Sequence, residues 1–236
     1  MSGIVFIVSA PSGSGKSTLT AEMLRLVPGL QFSISYTTRR PRGSERNGVE
    51  YFFVPKEDFE SMIQESEFLE YACVFGDYYG TARRFVTEAK NLGKDLLLDI
   101  DVQGAAQVKN SLPGAVSIFI LPPSRQVLEQ RLRRRSETEK VADEAVISRR
   151  LNAAGREIEN YSTYDYILVN DQLDQSIDEL QAIILAERVK RSGNVVAGED
   201  ERKTIETAER CRLSNVRRRV EEILATFAPD KARAGL

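Results

Sequence analysis

The stretch that decides the fold lies near the N-terminus, where residues 4–17 read IVFIVSAPSGSGKS. Its first five residues are apolar and rich in β-branched side chains, which is typical of a buried parallel strand. After the glycines, residues 17–27 place apolar side chains at helical spacing, which predicts a helix. Strand, glycine-rich turn and helix in this order nearly match the phosphate-loop pattern G-x-x-x-x-G-K-[ST], with Ala10 in place of the first glycine.

The residue types in this turn fit the chemistry of a phosphate loop. Gly13 and Gly15 let the backbone turn its N–H groups around phosphate oxygens. Lys16 can reach the β and γ phosphates of ATP, and the Ser17 hydroxyl can help to hold Mg²⁺. A glycine turn beside a surface lysine is the alternative, which the complete strand–loop–helix context disfavours. The predicted ATP-binding residues are Ala10, Pro11, Ser12, Gly13, Ser14, Gly15, Lys16 and Ser17.

The rest of the chain alternates between apolar runs and helical patterns. Strands are predicted at 95–100, 116–121 and 166–169, and helices at about 85–92, 102–110, 124–134, 143–160 and 174–191. This alternation predicts an α/β fold, a parallel sheet with helices on both faces. Two stretches interrupt it. Residues 33–83 carry short β-like pieces and turns, which predict a mostly β insertion, and residues 133–142 are charged and aperiodic, which predicts a mobile loop.

Composition excludes several classes of function. The chain has 236 residues with 33 Lys and Arg against 35 Asp and Glu, so it has no overall basic field for specific nucleic-acid binding. It has no histidine, which excludes Ser-His-Asp and Cys-His catalysis and His-ligated metals. No apolar run reaches the roughly 18–20 residues of a membrane span, and the N-terminus lacks the basic region of a secretory signal. We therefore expect a cytoplasmic protein without a membrane partner.

A second cluster of candidate ligand groups lies in residues 33–51. Arg39 and Arg42 are three residues apart, with a proline between them that fixes the turn. Two guanidinium groups, together with hydroxyls from Ser35 and Tyr51, would make a clamp for a monophosphate. A solvated basic loop is the alternative, because charged residues are mostly exposed.

Taken together, these segments resemble those of the bacterial guanylate kinases, and the resemblance extends over about residues 3–190. Six motifs in series carry the resemblance: SAPSGSGKS at 9–17, SxxTRxxR at 35–42, FLEYA around Glu70, FGDYYGT at 75–81, DIDVQG at 99–104 and VND at 169–171. The resemblance implies a P-loop nucleoside-monophosphate kinase fold with a mostly β GMP-binding insertion and a mobile lid. It also implies the reaction ATP + GMP ⇌ ADP + GDP with Mg²⁺, and dGMP as a further acceptor. The family commonly has alanine at the position of Ala10.

The resemblance also implies the residues that bind the acceptor. It places the GMP phosphate against Ser35, Arg39, Arg42, Tyr51 and Tyr79, and the guanine near Glu70 and Thr81. The chemistry of guanine agrees, because its N1–H and N2–H₂ are adjacent donors that one carboxylate can accept together. Adenine has no N1–H and would face Glu70 with a lone pair. A surface carboxylate remains the alternative for a glutamate taken alone.

Two aspartates close the apolar strand at residues 95–100. A carboxylate at the carboxyl end of such a strand lies where ligands bind in α/β sheets. Either aspartate could orient Mg²⁺ waters or contact the nucleotide, and we assign Asp99 to the GMP side. Asp101 has two open interpretations, a ligand contact or the N-cap of the helix that follows.

By resemblance, Arg131, Arg135 and Arg150 match the lid arginines that reach the ATP phosphates when the lid closes. With Lys16 and Arg39 they form the predicted catalytic set. This chain departs from the family at Ser136, where a glycine is usual, and its segment up to Arg150 is several residues longer. Arg149 is therefore an alternative to Arg150. A solvated helix face is the alternative interpretation of the whole arginine run.

The predicted organisation combines these parts: a P-loop core at 1–32, 84–132 and 150–191, a GMP-binding region at 33–83, a lid at 133–149, a linker at 192–200 and a helical extension at 201–236. A single helix is expected over about 201–227, with an apolar stripe too short to be stable alone. We expect this extension to dock on its own core or on a second subunit and to be dispensable for chemistry. A monomer and a homo-oligomer both remain open.

Two other functions compete with a GMP kinase. An inactive guanylate-kinase-like interaction module would be expected to lose the phosphate-loop lysine or the acceptor arginines, whereas Lys16, Arg39 and Arg42 are all present. A P-loop kinase for another phosphorylated acceptor would have no need of the pairing between Glu70 and Thr81.

Overall fold

The computed structural model describes residues 3–74, 76–138, 144–193 and 198–228, without the side chains of residues 135, 137 and 138. Its elements follow in the order β1 (Val5–Ser9), α1 (Lys16–Leu26), β2 (Leu30–Phe32), β3 (Tyr36–Thr37), β4 (Phe52–Phe53), α2 (Lys56–Gln64), β5 (Phe68–Val74), β6 (Asp77–Ala82), α3 (Arg83–Asn91), β7 (Asp95–Asp99), α4 (Val102–Ser111), β8 (Val116–Leu121), α5 (Arg125–Thr138), α6 (Glu144–Ile158), a 3₁₀ turn (Glu159–Thr163), β9 (Tyr166–Val169), α7 (Leu173–Ser192), α8 (Glu199–Arg210) and α9 (Leu213–Ala225).

The chain divides into two compact units, and β8 is divided between them. The first unit comprises Met1–Ser9, Thr20–Ile118 and Lys190–Asn194, and the second comprises Ala10–Leu19, Phe119–Val189 and Val195–Leu236. Among the described residues, no helix combines the length and the apolar character that a membrane span requires.

The parallel sheet of the first unit has the strand order β2-β7-β1-β8. β1 pairs with β7 in parallel, with Val5 opposite Leu96, and β2 pairs in parallel with the other edge of β7. The strands predicted near 4–8, 95–100, 116–121 and 166–169 are confirmed, because each is a run of buried apolar residues. β2 was not predicted as part of this sheet. It has only three residues, all half-buried, and leaves no clear pattern in the sequence.

A second sheet, of order β4-β3-β6-β5, forms most of the insertion at 33–83. β6 pairs antiparallel with both β3 and β5. The mostly β character is confirmed, but the sequence analysis missed β6 and the helix α2. This nine-residue helix buries only Phe59, whose ring stacks on Phe68 with centroids 4.3 Å apart. One anchoring side chain is too little periodicity to predict a helix.

In the second unit, α5 and α6 pack through a core of Leu128, Leu132, Ile147, Leu151 and Ala154. The loop predicted at 133–142 is wrong for residues 133–138, because α5 continues to residue 138. Arg133 stabilises this last part of the helix, since its Nη2 lies 2.8 Å from Glu129 Oε1 one turn earlier and its Nη1 pairs with Glu144. Residues 139–143 of the predicted loop lie outside the described residues.

The single helix predicted over 201–227 is instead the two helices α8 and α9. They separate at Cys211 and Arg212, where an isolated antiparallel bridge joins Arg212 to Tyr166 of β9. The Cys211 carbonyl accepts a hydrogen bond from Ile167 N at 2.8 Å. Because this carbonyl pairs with strand β9, it does not accept a hydrogen bond within a helix. Helix α8 therefore ends there, although the apolar spacing of the sequence continues.

Candidate active site

The phosphate loop of the second unit depends on two glycines. Gly13 and Gly15 both have φ of 90°, a backbone conformation that other residues rarely adopt. Their surroundings leave no space for a side chain. A methyl group on Gly13 would lie 3.0 Å from Leu132 Cδ2, and one on Gly15 would lie 2.3 Å from Asn170 Nδ2. The loop then leads into α1, which begins at Lys16.

The predicted ATP-binding residues differ in burial. Pro11 and Ser14 are buried, Ser12 and Ser17 are exposed, and the others are half-buried. The buried Ser14 hydroxyl has no hydrogen-bond partner among the described residues. Exposed and unsatisfied polar groups on a loop built for close backbone approach are suited to a phosphate ligand.

Asn170, at the end of β9, fixes the loop from behind. Its Nδ2 donates to the Ser14 carbonyl at 2.7 Å, and the side chain is buried. Its own carbonyl accepts from Arg131 Nη2 at 2.9 Å. Asn170 therefore joins the phosphate loop to the first of the predicted lid arginines. Asn170 lies in one of the family motifs, but its position in the sequence indicated no role for it.

Arg131 is held on α5 in a half-buried position. Burial lowers the pKa of its guanidinium, and the nearby Asp171 carboxylate partly offsets this. Its Nη1 is buried without a hydrogen-bond partner in the described part of the chain. A desolvated cation with an unsatisfied donor is suited to an anionic ligand.

The structure describes some of the other predicted lid residues. Arg150 is half-buried on α6, whereas its neighbour Arg149 is exposed, which favours Arg150 of the two. The side chain of Arg135 lies outside the described residues, as does part of the predicted lid. Ser136 is buried on α5.

In the first unit, Arg39 is buried and paired. Its Nη1 and Nη2 lie 2.9 Å and 3.0 Å from the two carboxylate oxygens of Glu45. Burial alone lowers the pKa of Arg39, but the hydrogen bonds and charge of Glu45, with Tyr79, raise it overall. The same pair lowers the pKa of Glu45, chiefly through the hydrogen bond from Arg39. Arg39 is therefore held as a charged fork by a carboxylate that the sequence analysis did not recognise.

Two tyrosines lie around this fork. The Arg39 guanidinium is 5.3 Å from the ring centroid of Tyr51, and the rings of Tyr51 and Tyr79 meet edge to face with centroids 5.8 Å apart. Ser35 is buried in the same sheet region, whereas Arg42 is exposed and its backbone N–H donates to Glu45 at 2.7 Å. The structure thus brings Arg39, Tyr51 and Tyr79 together and leaves the Arg42 side chain at the surface.

Glu70 is a buried carboxylate, and no cation lies beside it among the residues that the structure describes. It is 4% exposed and lies on β5 opposite Thr81 of β6. Burial raises the pKa of Glu70 to about 7; Thr81 lowers it in part and the charge of Asp101 raises it further. The Thr81 hydroxyl is close enough to lower the pKa of Glu70. It is buried, however, and makes no hydrogen bond of normal geometry with any described residue. Both groups keep hydrogen-bonding capacity for a ligand.

Helix α4 packs against Glu70 at a glycine, Gly104. A methyl group on Gly104 would lie 2.4 Å from Glu70 Oε2, so only glycine permits this approach. Asp101 caps the helix, because its Oδ1 accepts from Gly104 N at 2.8 Å. The capping interpretation of Asp101 is therefore confirmed. Asp99 is half-buried at the carboxyl end of β7.

Comparison with known proteins agrees with this geometry. A family model described as guanylate kinase matches residues 3–187. A guanylate kinase from Koribacter versatilis is 60% identical over 227 residues, 96% of this chain and 97% of that protein. The chain belongs to the guanylate kinase family. One from Geobacter metallireducens is 47% identical over 188 residues, 80% of this chain and 91% of that protein.

A solved structure of a guanylate kinase is also similar to this chain. The crystal structure of guanylate kinase from Anaplasma phagocytophilum is 32% identical, with a TM-score of 0.65, and the alignment covers 79% of this chain and 86% of that one. The family model ends at residue 187, before α8 and α9. A match over 96% of the chain nevertheless includes most of these helices, so the Koribacter relative shares the C-terminal segment.

Within this member of the family, three residues were overlooked as parts of the candidate site: Glu45, Gly104 and Asn170. Each lies in or beside a segment that the sequence analysis quoted. Their chemistry is ordinary, and their roles depend on which groups the fold brings next to them. For Glu45 alone a sequence signal existed, because an acidic residue three positions after Arg42 in a turn is placed to pair with the same basic cluster.

Proposed function

We propose that this protein transfers the γ-phosphoryl group of ATP to GMP, and also to dGMP, giving GDP or dGDP and ADP in purine nucleotide metabolism. The observation that carries the proposal is the buried pair of Glu70 and Thr81. An ionised Glu70 accepts both N1–H and N2–H₂ of guanine, and the unsatisfied Thr81 hydroxyl is available to O6. The adenine of AMP has a lone pair at N1 and an amino group at C6, so it cannot donate to Glu70 from N1 or accept from Thr81 at O6.

The acceptor phosphate is proposed to bind at Arg39, Tyr51 and Tyr79, supported by their mutual proximity. Ser35 and Arg42 complete this proposed site, the latter by turning its exposed side chain toward the ligand. Asp99 is proposed to contact GMP from the end of β7. We accordingly retain residues 33–83 as the GMP-binding region.

On the donor side, the backbone of residues 10–17 is proposed to surround the ATP phosphates, with Lys16 on the β and γ groups. The Ser17 hydroxyl fits a role in holding Mg²⁺, because it is exposed in the first turn of α1 and offers a hard oxygen ligand. When bound, Mg²⁺ neutralises charge on the β and γ phosphates.

Phosphoryl transfer here needs positioning and positive charge rather than a general base, because the attacking GMP phosphate oxygen is already deprotonated. Lys16 and Arg39 are proposed to supply that charge together with Arg131, Arg135 and Arg150. We further propose that residues 133–149 act as a lid whose closure excludes water and limits ATP hydrolysis.

The test is an ADP-release assay with ATP and a panel of acceptors, GMP, dGMP, AMP, CMP and UMP. We expect turnover with GMP and dGMP and only background ADP release with the other three. Comparable turnover with AMP would contradict the role of Glu70, and the absence of ADP release with every acceptor would contradict the proposed reaction.

A further inference from the structure

Helices α8 and α9 pack against the rest of the second unit. At the break between α8 and α9, Arg212 Nη2 lies 2.8 Å from Glu187 Oε1, and the Arg212 guanidinium is 4.1 Å from the ring centroid of Tyr166. The Tyr166 hydroxyl donates to the same Glu187 oxygen at 2.6 Å. Val220 and Ile223 of α9 are buried. This anchoring fixes where the end of α9 lies.

The residue after α9 bonds to the first turn of another helix, α5, where Ser124 Oγ already accepts a hydrogen bond from Val127 N at 3.2 Å. Thr226 Oγ1 accepts a hydrogen bond from Arg125 N at 3.0 Å and donates to the Ile223 carbonyl at 2.7 Å. Arg125 is the first residue of α5, and an N–H at that position has no acceptor within its own helix. The next residue, Phe227, packs against the core shared by α5 and α6. Thr226 and Phe227 thus support the first turn of α5 from outside that helix.

Helix α5 is the element that supports the donor side of the site. Leu128 and Leu132 fill the space beside Gly13 of the phosphate loop. Arg131, on the same helix, donates to the Asn170 carbonyl. A shift or fraying of the first turns of α5 would therefore be transmitted to the phosphate loop and to a predicted ATP-binding cation.

We propose that Thr226 is a positioning residue for the ATP side of the reaction, supplied by the C-terminal extension. The inference rests on the proposed function and assigns the extension a role in that reaction. The Thr226 hydroxyl holds the start of α5, and α5 holds Arg131 and the phosphate loop in their binding geometry. The extension does not take part in the chemical step, so its loss weakens ATP binding without abolishing transfer.

The test compares Thr226→Val, which removes the hydroxyl at nearly constant volume, with Thr226→Ser, which keeps it. We expect Thr226→Val in the full chain to raise KM for ATP about fivefold, the equivalent of about 1 kcal/mol for one lost hydrogen bond, with KM for GMP unchanged. Thr226→Ser should restore KM for ATP. Thr204→Val is the matched control, because the Thr204 hydroxyl donates to the Asp200 carbonyl within its own helix, α8.

Calorimetric titration of a non-hydrolysable ATP analogue, below the unfolding midpoint of each variant, measures the same effect without turnover. An unchanged affinity in Thr226→Val, an equal rise in both KM values, or failure of Thr226→Ser to restore binding would overturn the positioning role. If the wild type bound the analogue in a Thr226-dependent way but did not phosphorylate GMP, the proposed reaction alone would be refuted.

Discussion

The first unit holds the residues proposed to bind the acceptor, and the second holds those proposed to bind the donor phosphates. The structure prepares the two sets in different ways. On the acceptor side the structure fixes side chains in place: Arg39 is paired with Glu45, and Glu70 is a buried carboxyl group whose pKa is raised to about 7. On the donor side the structure fixes the backbone of the phosphate loop. Gly13 and Gly15 have positive φ, and Asn170 donates a hydrogen bond to the Ser14 carbonyl.

This difference separates two properties of the enzyme. Side-chain charges recognise the base and phosphate of one particular acceptor, so changing them should alter selectivity. Backbone N–H groups recognise any polyphosphate, so disturbing what supports them should alter affinity for ATP while selectivity remains. The variants below test whether the two sides are independent in this sense.

The largest effect is expected on the donor side, from Lys16→Ala. Removing an ammonium that is proposed to stabilise charge in the transition state should cost about 3–4 kcal/mol, so kcat should fall about 100- to 1,000-fold, measured by ADP release with ATP and GMP. The thermal unfolding midpoint should stay near that of the wild type. Lys203→Ala, at an exposed position on α8, is the control. A Lys16→Ala enzyme with near-normal kcat would refute the phosphate-loop assignment.

On the acceptor side, the desolvation of Glu70 should be visible in folding stability. Its pKa is raised from 4.5 to about 7, so the ionised form is disfavoured in the folded state. The resulting loss of stability is absent below the lower value, grows between the two and is complete above the higher one. Glu70→Gln should therefore raise the unfolding free energy at pH 8 by about 3 kcal/mol, with little change at pH 4.

Denaturant titration of both proteins at the two pH values measures this difference. The control is Glu67→Gln, because Glu67 is exposed in the same region. Equal unfolding free energies for wild type and Glu70→Gln at pH 8 would mean that the folded protein tolerates the buried charge without loss.

The same substitution should damage function as it improves stability. Glutamine offers guanine one acceptor and one donor where two acceptors are needed, and an unsatisfied donor costs about 1–3 kcal/mol. We expect kcat/KM for GMP to fall about 10–100-fold in Glu70→Gln while KM for ATP is unchanged. A rise in KM for ATP alone would show that Glu70 does not contact the acceptor base.

The sequence predicted the parts of this molecule that depend on local pattern. Continuous apolar runs revealed β1, β7, β8 and β9, and the glycine spacing revealed the phosphate loop, because these features need no knowledge of distant residues. Elements with few buried side chains, such as α2 and β2, left too little pattern to be found.

The supporting contacts of the site could not be predicted for a different reason. Asn170 bonds to a carbonyl 156 residues away, and Gly104 matters because α4 passes over Glu70. The break at Cys211 depends on pairing with β9. Each of these is a consequence of tertiary contact, so motif spacing could place the residues in order but could not say what they touch.

The Asn170 contact offers a milder test of the donor side than Lys16. In Asn170→Ala the Ser14 carbonyl loses its buried hydrogen bond, which costs about 1–2 kcal/mol, so KM for ATP should rise about tenfold. KM for GMP should not change if the two sides are independent. Asn160→Ala is the control, because the Asn160 amide donates to carbonyls three and four residues earlier, at the surface. Parallel rises in both KM values would show that the sides are coupled.

The smallest effect is expected from Glu45→Gln on the acceptor side. The carboxylate and the GMP phosphate are both anions drawn to Arg39, so neutralising Glu45 should favour the phosphate. The Glu45 side chain is 24% exposed, and such pairs contribute about 0.2–1 kcal/mol, which predicts a two- to threefold fall in KM for GMP. Screening should reduce the difference at high salt. Glu50→Gln is the control in the same loop. If KM for GMP instead rose, Glu45 would act by orienting the Arg39 fork, and the acceptor side would depend on fixed geometry as much as the donor side does.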